Sequence, residues 1–298
     1  MKMSTIPHNF LGLPQQYASY KSSRFGILPV PYDSTASFQV GTRNGPSAII
    51  EASKQVELYD DELEAEFFKA GIATLDAVMP NMAGPQAMHE DLFTIARKVV
   101  RDGKVLFGLG GEHSISSALV RAVMTRHKKL SVLQIDAHAD LRDSYEGTPY
   151  SHACVMRRIL DLGAAIVPVG IRNLSREEHG FIKKNSIPVV TARDCHMDDM
   201  WLDRVLNALG DHVYVTIDID GFDPAYAPGT GTPEPGGLNW YDVTALLRLV
   251  AAEKTIVAAD IVEVMPIPGA AVTEFLAAKL AYKIMAYVQS SAQEKNTP

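Results

Sequence analysis

Acidic residues and histidines stand where short apolar runs of the sequence end. Asp136, His138 and Asp140 follow the run SVLQI at i, i+2 and i+4, and Asp218 and Asp220 follow the run VYVTI at i and i+2. An extended backbone points alternate side chains to one side, so each set is expected to face a common space. Crowded carboxylates repel one another and raise each other's pKa unless a cation compensates them. The spacing therefore predicts a metal site.

The number of donors indicates how many ions this site holds. His113, which follows the run VLFGL and a Gly-Gly-Glu turn, adds a sixth donor. Six donors exceed the three or four protein ligands of one zinc ion, but they suit two bridged ions roughly 3.5–4 Å apart. Oxygen ligands with one imidazole per ion and no thiolate favour Mn²⁺ over Zn²⁺ or copper. A lone Asp after a strand is commonly a turn former or helix cap, but three such motifs together favour two Mn²⁺ ions per chain.

The elements that must position these residues alternate along the chain. Predicted strands are Gly26–Val30, Gly71–Leu75, Val105–Leu109, Ser131–Ile135, Ile166–Val169, Ile187–Val190, Val213–Ile217 and Thr255–Ile261. Predicted helices are Pro46–Leu58, Pro85–Arg101, Ser114–Arg126, Ser151–Leu162, Arg176–Asn185, Met200–Leu209, Tyr241–Ala252 and Val272–Val288. Strands that are apolar throughout are typical of a parallel sheet covered on both faces. Periodicity leaves an open α/β/α sheet and a closed barrel as alternatives, and both bind ligands at the carboxyl ends of their strands.

Composition excludes several classes of protein. The 298 residues include 35 acidic and 28 basic side chains, a formal charge of −7, and 47% are hydrophobic. Such a chain is not disordered, and its acidity argues against nucleic-acid binding. Two cysteines indicate a reducing, cytoplasmic location, and no apolar run approaches the roughly 18 residues that span a membrane. Without repeats or linkers, we expect one domain over residues 1–298, with an N-terminal extension at 1–24 and a C-terminal tail at 291–298.

Five motifs resemble those of one enzyme family. They are GGEHS at 110–114, DAHADLR at 136–142, SHA at 151–153, DIDGFDPAYAPGTGTPEPGG at 218–237 and VEV at 262–264. The chain resembles the ureohydrolases, the arginase and agmatinase family, from about residue 26 to residue 288. This resemblance implies a three-layer α/β/α sandwich with a central eight-stranded parallel sheet. It also implies a binuclear manganese centre, a trimeric or hexameric homo-oligomer, and hydrolysis of a guanidino group to urea and an amine.

The resemblance also implies individual roles. One ion would be held by His113, Asp136, Asp140 and Asp218, and the second by Asp136, His138, Asp218 and Asp220. A hydroxide that bridges the ions would attack the guanidinium carbon. Glu263 would bind the guanidinium, Asp140 would accept hydrogen bonds from the tetrahedral intermediate, and His152 would bind near the substrate and carry a proton to the leaving amine. Taken alone, His152 would be interpreted as a helix-start residue and Glu263 as a salt-bridge partner.

The loop Leu141–Ser151 is expected to contact the tail of the substrate. It lacks the Asn and Thr/Ser set with which arginases hold a carboxylate, and it carries Asp143 and Glu146 beside Arg142. Acidic groups suit a cationic tail. We therefore predict agmatine as substrate, giving urea and putrescine, with Asp143 at its ammonium group. Alternatives are aminopropylagmatine, guanidinobutyrate, arginine, or a non-catalytic relative that binds polyamines. A zinc deacetylase would call for a His-His pair, which this sequence lacks.

Overall fold

A single parallel sheet forms the centre of the protein. The computed structural model describes residues 7–294. Its strands are β1 Phe25–Val30, β2 Ile72–Thr74, β3 Val105–Gly110, β4 Ser131–Ile135, β5 Ala165–Ile171, β6 Val190–Thr191, β7 His212–Asp218 and β8 Thr255–Val262. They are ordered β2-β1-β3-β8-β7-β4-β5-β6, and every neighbouring pair is parallel. The sheet is open, with β2 and β6 at its edges, which confirms the three-layer fold and excludes the barrel.

Helices cover both faces of this sheet. They are α1 Gln15–Ala18, α2 Gly45–Ser53, α3 Pro85–Arg101, α4 Ser116–Val123, α5 Val155–Asp161, α6 Arg176–Asn185, α7 Ala192–Met197, α8 Trp201–Ala208, α9 Trp240–Glu253 and α10 Val272–Glu294. Within β4, Val132 and Leu133 belong to two different hydrophobic clusters, as expected when successive side chains point to opposite faces. Residues of α2, α9 and α10 fill one cluster, and residues of α3, α4 and α5 fill the other. None of the helices within residues 7–294 is long and apolar enough to cross a membrane.

Most predicted elements are confirmed, and the differences have local causes. The predicted strand Ile187–Val190 shortens to β6, because Pro188 has no N–H to donate to the sheet and Val189 N–H turns back to Ile187 O. Helix α7 was not predicted, although Thr191 and Asp194 form a capping box at its start.

Parts of the predicted N-terminal extension and C-terminal tail are ordered and pack against the rest of the chain. Phe10 and Leu13, from the predicted N-terminal extension, are buried in the core. Helix α10 continues to Glu294, into the predicted C-terminal tail. The rest of that tail and residues 1–6 lie outside the described residues.

The order of the strands brings the predicted site together. Strands β3, β8, β7 and β4 are consecutive neighbours at the centre of the sheet. Because they are parallel, the polar segments that follow them meet at the same edge. His113 follows β3, Asp136 follows β4, Asp218 ends β7 and Glu263 follows β8.

Candidate active site

One group of ligands surrounds the ring of His113. Its Nδ1 lies 3.1 Å from an oxygen of Asp136, 3.1 Å from an oxygen of Asp140 and 3.5 Å from an oxygen of Asp218. All four side chains are buried. His113, Asp136 and Asp140 present ligand atoms close enough to one another to hold a metal ion.

A second group adjoins the first and shares Asp136 with it. His138 Nδ1 lies 3.0 Å from Asp220 Oδ2 and 3.7 Å from Asp136 Oδ1. Asp136 therefore turns Oδ1 towards His138 and Oδ2 towards His113. Asp136, His138 and Asp220 also satisfy the spacing of a metal site. Two adjoining groups with one carboxylate in common are the arrangement that a binuclear centre requires.

The hydrogen bonds of His113 test whether a cation fits. His113 Nε2 lies 2.9 Å from Thr216 Oγ1, whose hydroxyl donates to Asp260 Oδ1 over 2.6 Å. Thr216 has no second hydrogen to give, so Nε2 carries the ring proton. His113 Nδ1 is then a buried nitrogen without a hydrogen-bond partner among three carboxylates. A lone pair in that position is suited to a metal ion, so the residues fit the group that the sequence predicts.

The electrostatics of the cluster call for positive charge. Burial, followed by repulsion from Asp136, raises the pKa of Asp140 to about 7. Burial with repulsion from Asp220 and Asp136 raises the pKa of Asp218 well above its usual value. Burial disfavours the charged form of His113, but the three carboxylates within 3.5 Å of Nδ1 outweigh it and raise that pKa strongly. Divalent ions would remove this repulsion by replacing the protons.

Two residues at the site adopt the left-handed backbone region that favours glycine. Asp140 has φ 53° and Glu263 has φ 62°. The Glu263 N–H donates to Gly111 O over 2.7 Å, and Glu263 Oε1 accepts the His113 backbone N–H over 2.7 Å. Such conformations cost about 1–3 kcal/mol each and persist where surrounding contacts hold them. Burial and the nearby Glu112 raise the pKa of Glu263 well above its usual value.

His152 lines the cavity beside these groups. It begins a short 3₁₀ turn, and its Nδ1 faces Thr35 Oγ1 at 3.4 Å and Ser151 Oγ at 3.3 Å. Burial is the main cause that lowers the pKa of His152 to about 4. The sequence predicted a proton carrier with the ordinary histidine pKa near 6.5. The enclosed position instead keeps the imidazole neutral at pH 7.

A model of the arginase family matches residues 23–287 of this sequence. The chain belongs to the arginase family. It is therefore a ureohydrolase, a hydrolase that acts on guanidino C–N bonds.

Individual relatives resemble the chain over almost its full length. It is 39% identical to the N(1)-aminopropylagmatine ureohydrolase of Synechocystis sp., over 97% of this chain and 99% of the relative. Identity to the enzyme of that name from Thermus thermophilus is 40%, over 89% and 90% of the two chains. The crystal structure of agmatine ureohydrolase from Thermoplasma volcanium superposes with a TM-score of 0.87 at 31% identity, covering 98% of this chain and 97% of that one.

The structure does not bring Asp143 into the site of this arginase-family chain. Its carboxylate accepts from Arg158 over 2.7 Å, its side chain is 66% exposed, and it lies outside the lining of the cavity. The predicted contact between Asp143 and the substrate tail therefore has no support from the position of this side chain. From the same loop, Arg142 and Tyr145 line the cavity instead. The pairing with α5 explains the difference, because a cation on a neighbouring helix turns Asp143 away.

Sequence reasoning also missed part of the cavity wall. The cavity encloses about 210 Å³, and residues not predicted to line it include Phe38, Gln39, Asn173, Leu174, Ser175 and Glu178. Glu178 is buried and accepts from the backbone N–H of Leu141 and of Ser175. The pattern Ser-Arg-Glu-Glu at 175–178 is a capping-box signal that predicts a helix start, but it does not reveal that this start faces the site.

Replacing Thr216 with Val should weaken metal binding in this family member. Valine keeps the volume but leaves the His113 Nε2–H and Asp260 without their shared partner. We expect the affinity for one metal ion to fall about 10- to 100-fold, as is typical when a partner that orients a ligand is lost. Titration of the metal-free protein against a competing chelator measures this, with Thr216→Ser as the control that retains the hydroxyl. Unchanged affinity in Thr216→Val would contradict the orienting role.

Proposed function

We propose that this ureohydrolase binds two Mn²⁺ ions and hydrolyses the guanidino group of N(1)-aminopropylagmatine to urea and spermidine. The observation that carries the proposal is the pair of ligand groups joined by Asp136, which share one cavity with the carboxylate of Glu263. His113, Asp136, Asp140 and Asp218 would hold one ion, and Asp136, His138, Asp218 and Asp220 the other. When bound, the ions supply Lewis acidity and lower the pKa of water so that it can act as a nucleophile near neutral pH.

Glu263 is the partner proposed for the guanidinium. The Glu263 carboxylate, whose pKa is strongly raised, lacks a counter-ion, and a planar guanidinium supplies paired N–H donors and positive charge. Its Oε1 is fixed by the His113 N–H, so a guanidinium bound there lies beside the ligand groups. Glu263 would thereby orient the substrate carbon towards the attacking water.

Asp140 and His152 are the groups proposed to handle protons. Asp140 would accept hydrogen bonds from the N–H and O–H groups of the tetrahedral intermediate as that intermediate forms. His152, kept neutral by burial, would accept a proton from the attacking water and deliver it to the leaving amine. The overall reaction balances, because one water and one guanidinium cation give urea and one ammonium cation.

The outer wall of the cavity supports a polyamine tail. Phe38, Tyr145 and Leu174 offer apolar surface for methylene groups, and Glu178 supplies a carboxylate in the lining. Phe38 is 71% exposed, so the wall continues outwards to solvent, where a long tail can extend. Together with the names of the two relatives at 39% and 40% identity, this favours aminopropylagmatine over the agmatine that the sequence predicted.

Agmatine is the second candidate. It shares the guanidinium and the first four methylenes, and the similar structure from Thermoplasma volcanium is named agmatine ureohydrolase. Arg142 also lines the cavity, with its guanidinium 5.0 Å from the centre of the Tyr145 ring, where it could meet a substrate carboxylate. Guanidinobutyrate therefore belongs among the compounds to be compared.

Urea release from four guanidines tests the proposal. With Mn²⁺ loaded, we expect kcat/KM to be highest for aminopropylagmatine, lower for agmatine, and lowest for guanidinobutyrate and arginine. Asp143→Ala should leave that ranking unchanged, because its carboxylate faces Arg158 rather than the cavity. If kcat/KM is higher for agmatine than for aminopropylagmatine, agmatine is the substrate instead. If no guanidine yields urea, the catalytic proposal is wrong and the chain is a relative that only binds polyamines.

The proposal also includes a cytoplasmic homo-oligomer, trimeric or hexameric. Cys154 and Cys195 are free, buried thiols, which supports a reducing location. Light scattering of the purified protein measures the oligomeric state.

A further inference from the structure

The hydroxyl of Thr35 lies between His152 and a buried carboxylate. Thr35 Oγ1 is 2.6 Å from Glu112 Oε1 and 3.4 Å from His152 Nδ1. The backbone N–H of His152 also donates to Thr35 Oγ1, over 3.1 Å. A hydroxyl has one hydrogen to donate and two lone pairs that accept. These three contacts therefore use the whole hydrogen-bonding capacity of Thr35.

The contacts of Glu112 decide where the hydroxyl hydrogen points. Its side chain is fully buried and accepts the Thr35 backbone N–H over 2.6 Å, besides the hydroxyls of Thr35 and Ser114. Burial raises the pKa of Glu112 to about 7, but all three partners of this carboxylate carry a hydrogen that they can donate, which is the pattern of a group that acts only as an acceptor. On this hydrogen-bond pattern Thr35 gives its hydrogen to Glu112 and has only lone pairs left for His152.

We propose that Thr35 is a positioning residue that determines which nitrogen of His152 carries the proton. Because Thr35 Oγ1 can only accept, the imidazole must present N–H at Nδ1, which leaves Nε2 unprotonated. His152 lines the cavity, so Nε2 is the nitrogen available to the reacting groups. The role of this arrangement in catalysis rests on the proposed function, whereas the tautomer itself does not.

The other neighbours of the ring are compatible with this direction. Ser151 Oγ lies 3.3 Å from the same Nδ1, and its hydroxyl can donate or accept, so it does not select a tautomer. The Tyr145 ring packs edge-on against His152 with the centroids 5.9 Å apart, which restricts rotation of the imidazole. Thr35 is thus the one of these three neighbours with a fixed preference.

The tautomer matters because it decides whether Nε2, the nitrogen available at the cavity, can accept a proton or can only donate one. With Nε2 unprotonated, neutral His152 can accept a proton from water and afterwards give it to the amine. With hydrogen on Nε2, the ring can only donate and cannot accept the first proton. Thr35 and Glu112 would therefore keep His152 ready for the first of the two transfers.

Neutron diffraction from crystals of the deuterated protein determines the tautomer of His152, and the result does not depend on catalytic activity. We expect deuterium on His152 Nδ1 and on Thr35 Oγ1 directed at Glu112. Deuterium on Nε2 alone, or a Thr35 hydroxyl directed at His152, would overturn the proposal. A wild-type protein that releases no urea would refute the proposed function, but the neutron map would still decide the tautomer.

Kinetics of matched variants test the consequence. In Thr35→Val we expect kcat to fall about 10- to 100-fold with KM within about twofold, since acid–base transfer is impaired and substrate contacts are not. Thr35→Ser should recover kcat to within about threefold, because it restores the hydroxyl. The exposed neighbour Ser34→Ala controls for loss of a hydroxyl from this loop. A shifted tautomer in Ser151→Ala, or an undiminished kcat in a folded, metal-loaded Thr35→Val, would refute the role of Thr35.

Discussion

Asp218→Asn is expected to remove one Mn²⁺ ion per chain and to lower urea release by about a thousandfold, since a binuclear site needs a charged bridging ligand. Asp218 Oδ1 already accepts the Asp220 backbone N–H, and Oδ2 points to His113. Asparagine preserves the shape of the side chain but replaces a charged oxygen with an amide. Metal analysis after gel filtration, together with the urea assay, measures both effects.

The stability of the metal-free variant separates loss of a ligand from misfolding. The carboxylate of Asp218 has a strongly raised pKa, so its ionised form destabilises the empty site at neutral pH. Asparagine removes that charge, and the melting temperature in EDTA should be equal to or higher than that of the wild type. The rise in melting temperature on adding Mn²⁺ should be smaller, because fewer ions bind.

The matched control lies at the other end of the same strand. Asp211 precedes β7, is exposed and lies far from the ligand groups, so Asp211→Asn should keep both ions and full activity. Two ions retained in Asp218→Asn would contradict its assignment as a bridging ligand. Two ions with unchanged turnover would also refute any role of the Asp218 carboxylate in catalysis.

The parts of the site that local spacing encodes were predictable. Asp136, His138 and Asp140 follow one strand at alternate positions, and the parallel sheet carries that local pattern to a common edge. The sheet itself followed from strands that are apolar throughout. Periodicity alone could not distinguish an open sheet from a barrel, because closure depends on whether β2 and β6 pair, and that is a contact between distant segments.

The parts that depend on distant contacts were not predictable. Thr35 lies 77 residues from Glu112 and 117 from His152, and nothing in the spacing links them. Asp143 was assigned to the substrate from its charge, but Arg158 on α5 determines where it points. The pKa of His152 likewise depends on burial by residues from other segments.

Glu263→Gln should keep both ions and lose most of the activity. Glutamine can still accept the His113 N–H through its carbonyl oxygen, so the ligand stays in place, whereas alanine would leave that N–H without its partner. What disappears is the negative charge that the guanidinium would meet. A hydrogen bond to a charged group contributes about 1.5–3 kcal/mol, against about 0.5–1.5 kcal/mol for a neutral one. Misorientation of the substrate carbon adds to the loss, so kcat/KM should fall about 10²- to 10³-fold.

Measured manganese content and kcat/KM distinguish the interpretations of Glu263. Glu146→Gln, on an exposed turn of the loop at 141–151, removes an equal charge away from the ligands and should change neither quantity. Normal activity in Glu263→Gln would show that another group binds the guanidinium. Loss of an ion would mean that Glu263 acts on the metal centre through His113, since the His113 N–H is the direct link between them. If Glu263→Gln keeps two ions and has a low kcat/KM, the substrate requires the negative charge of Glu263.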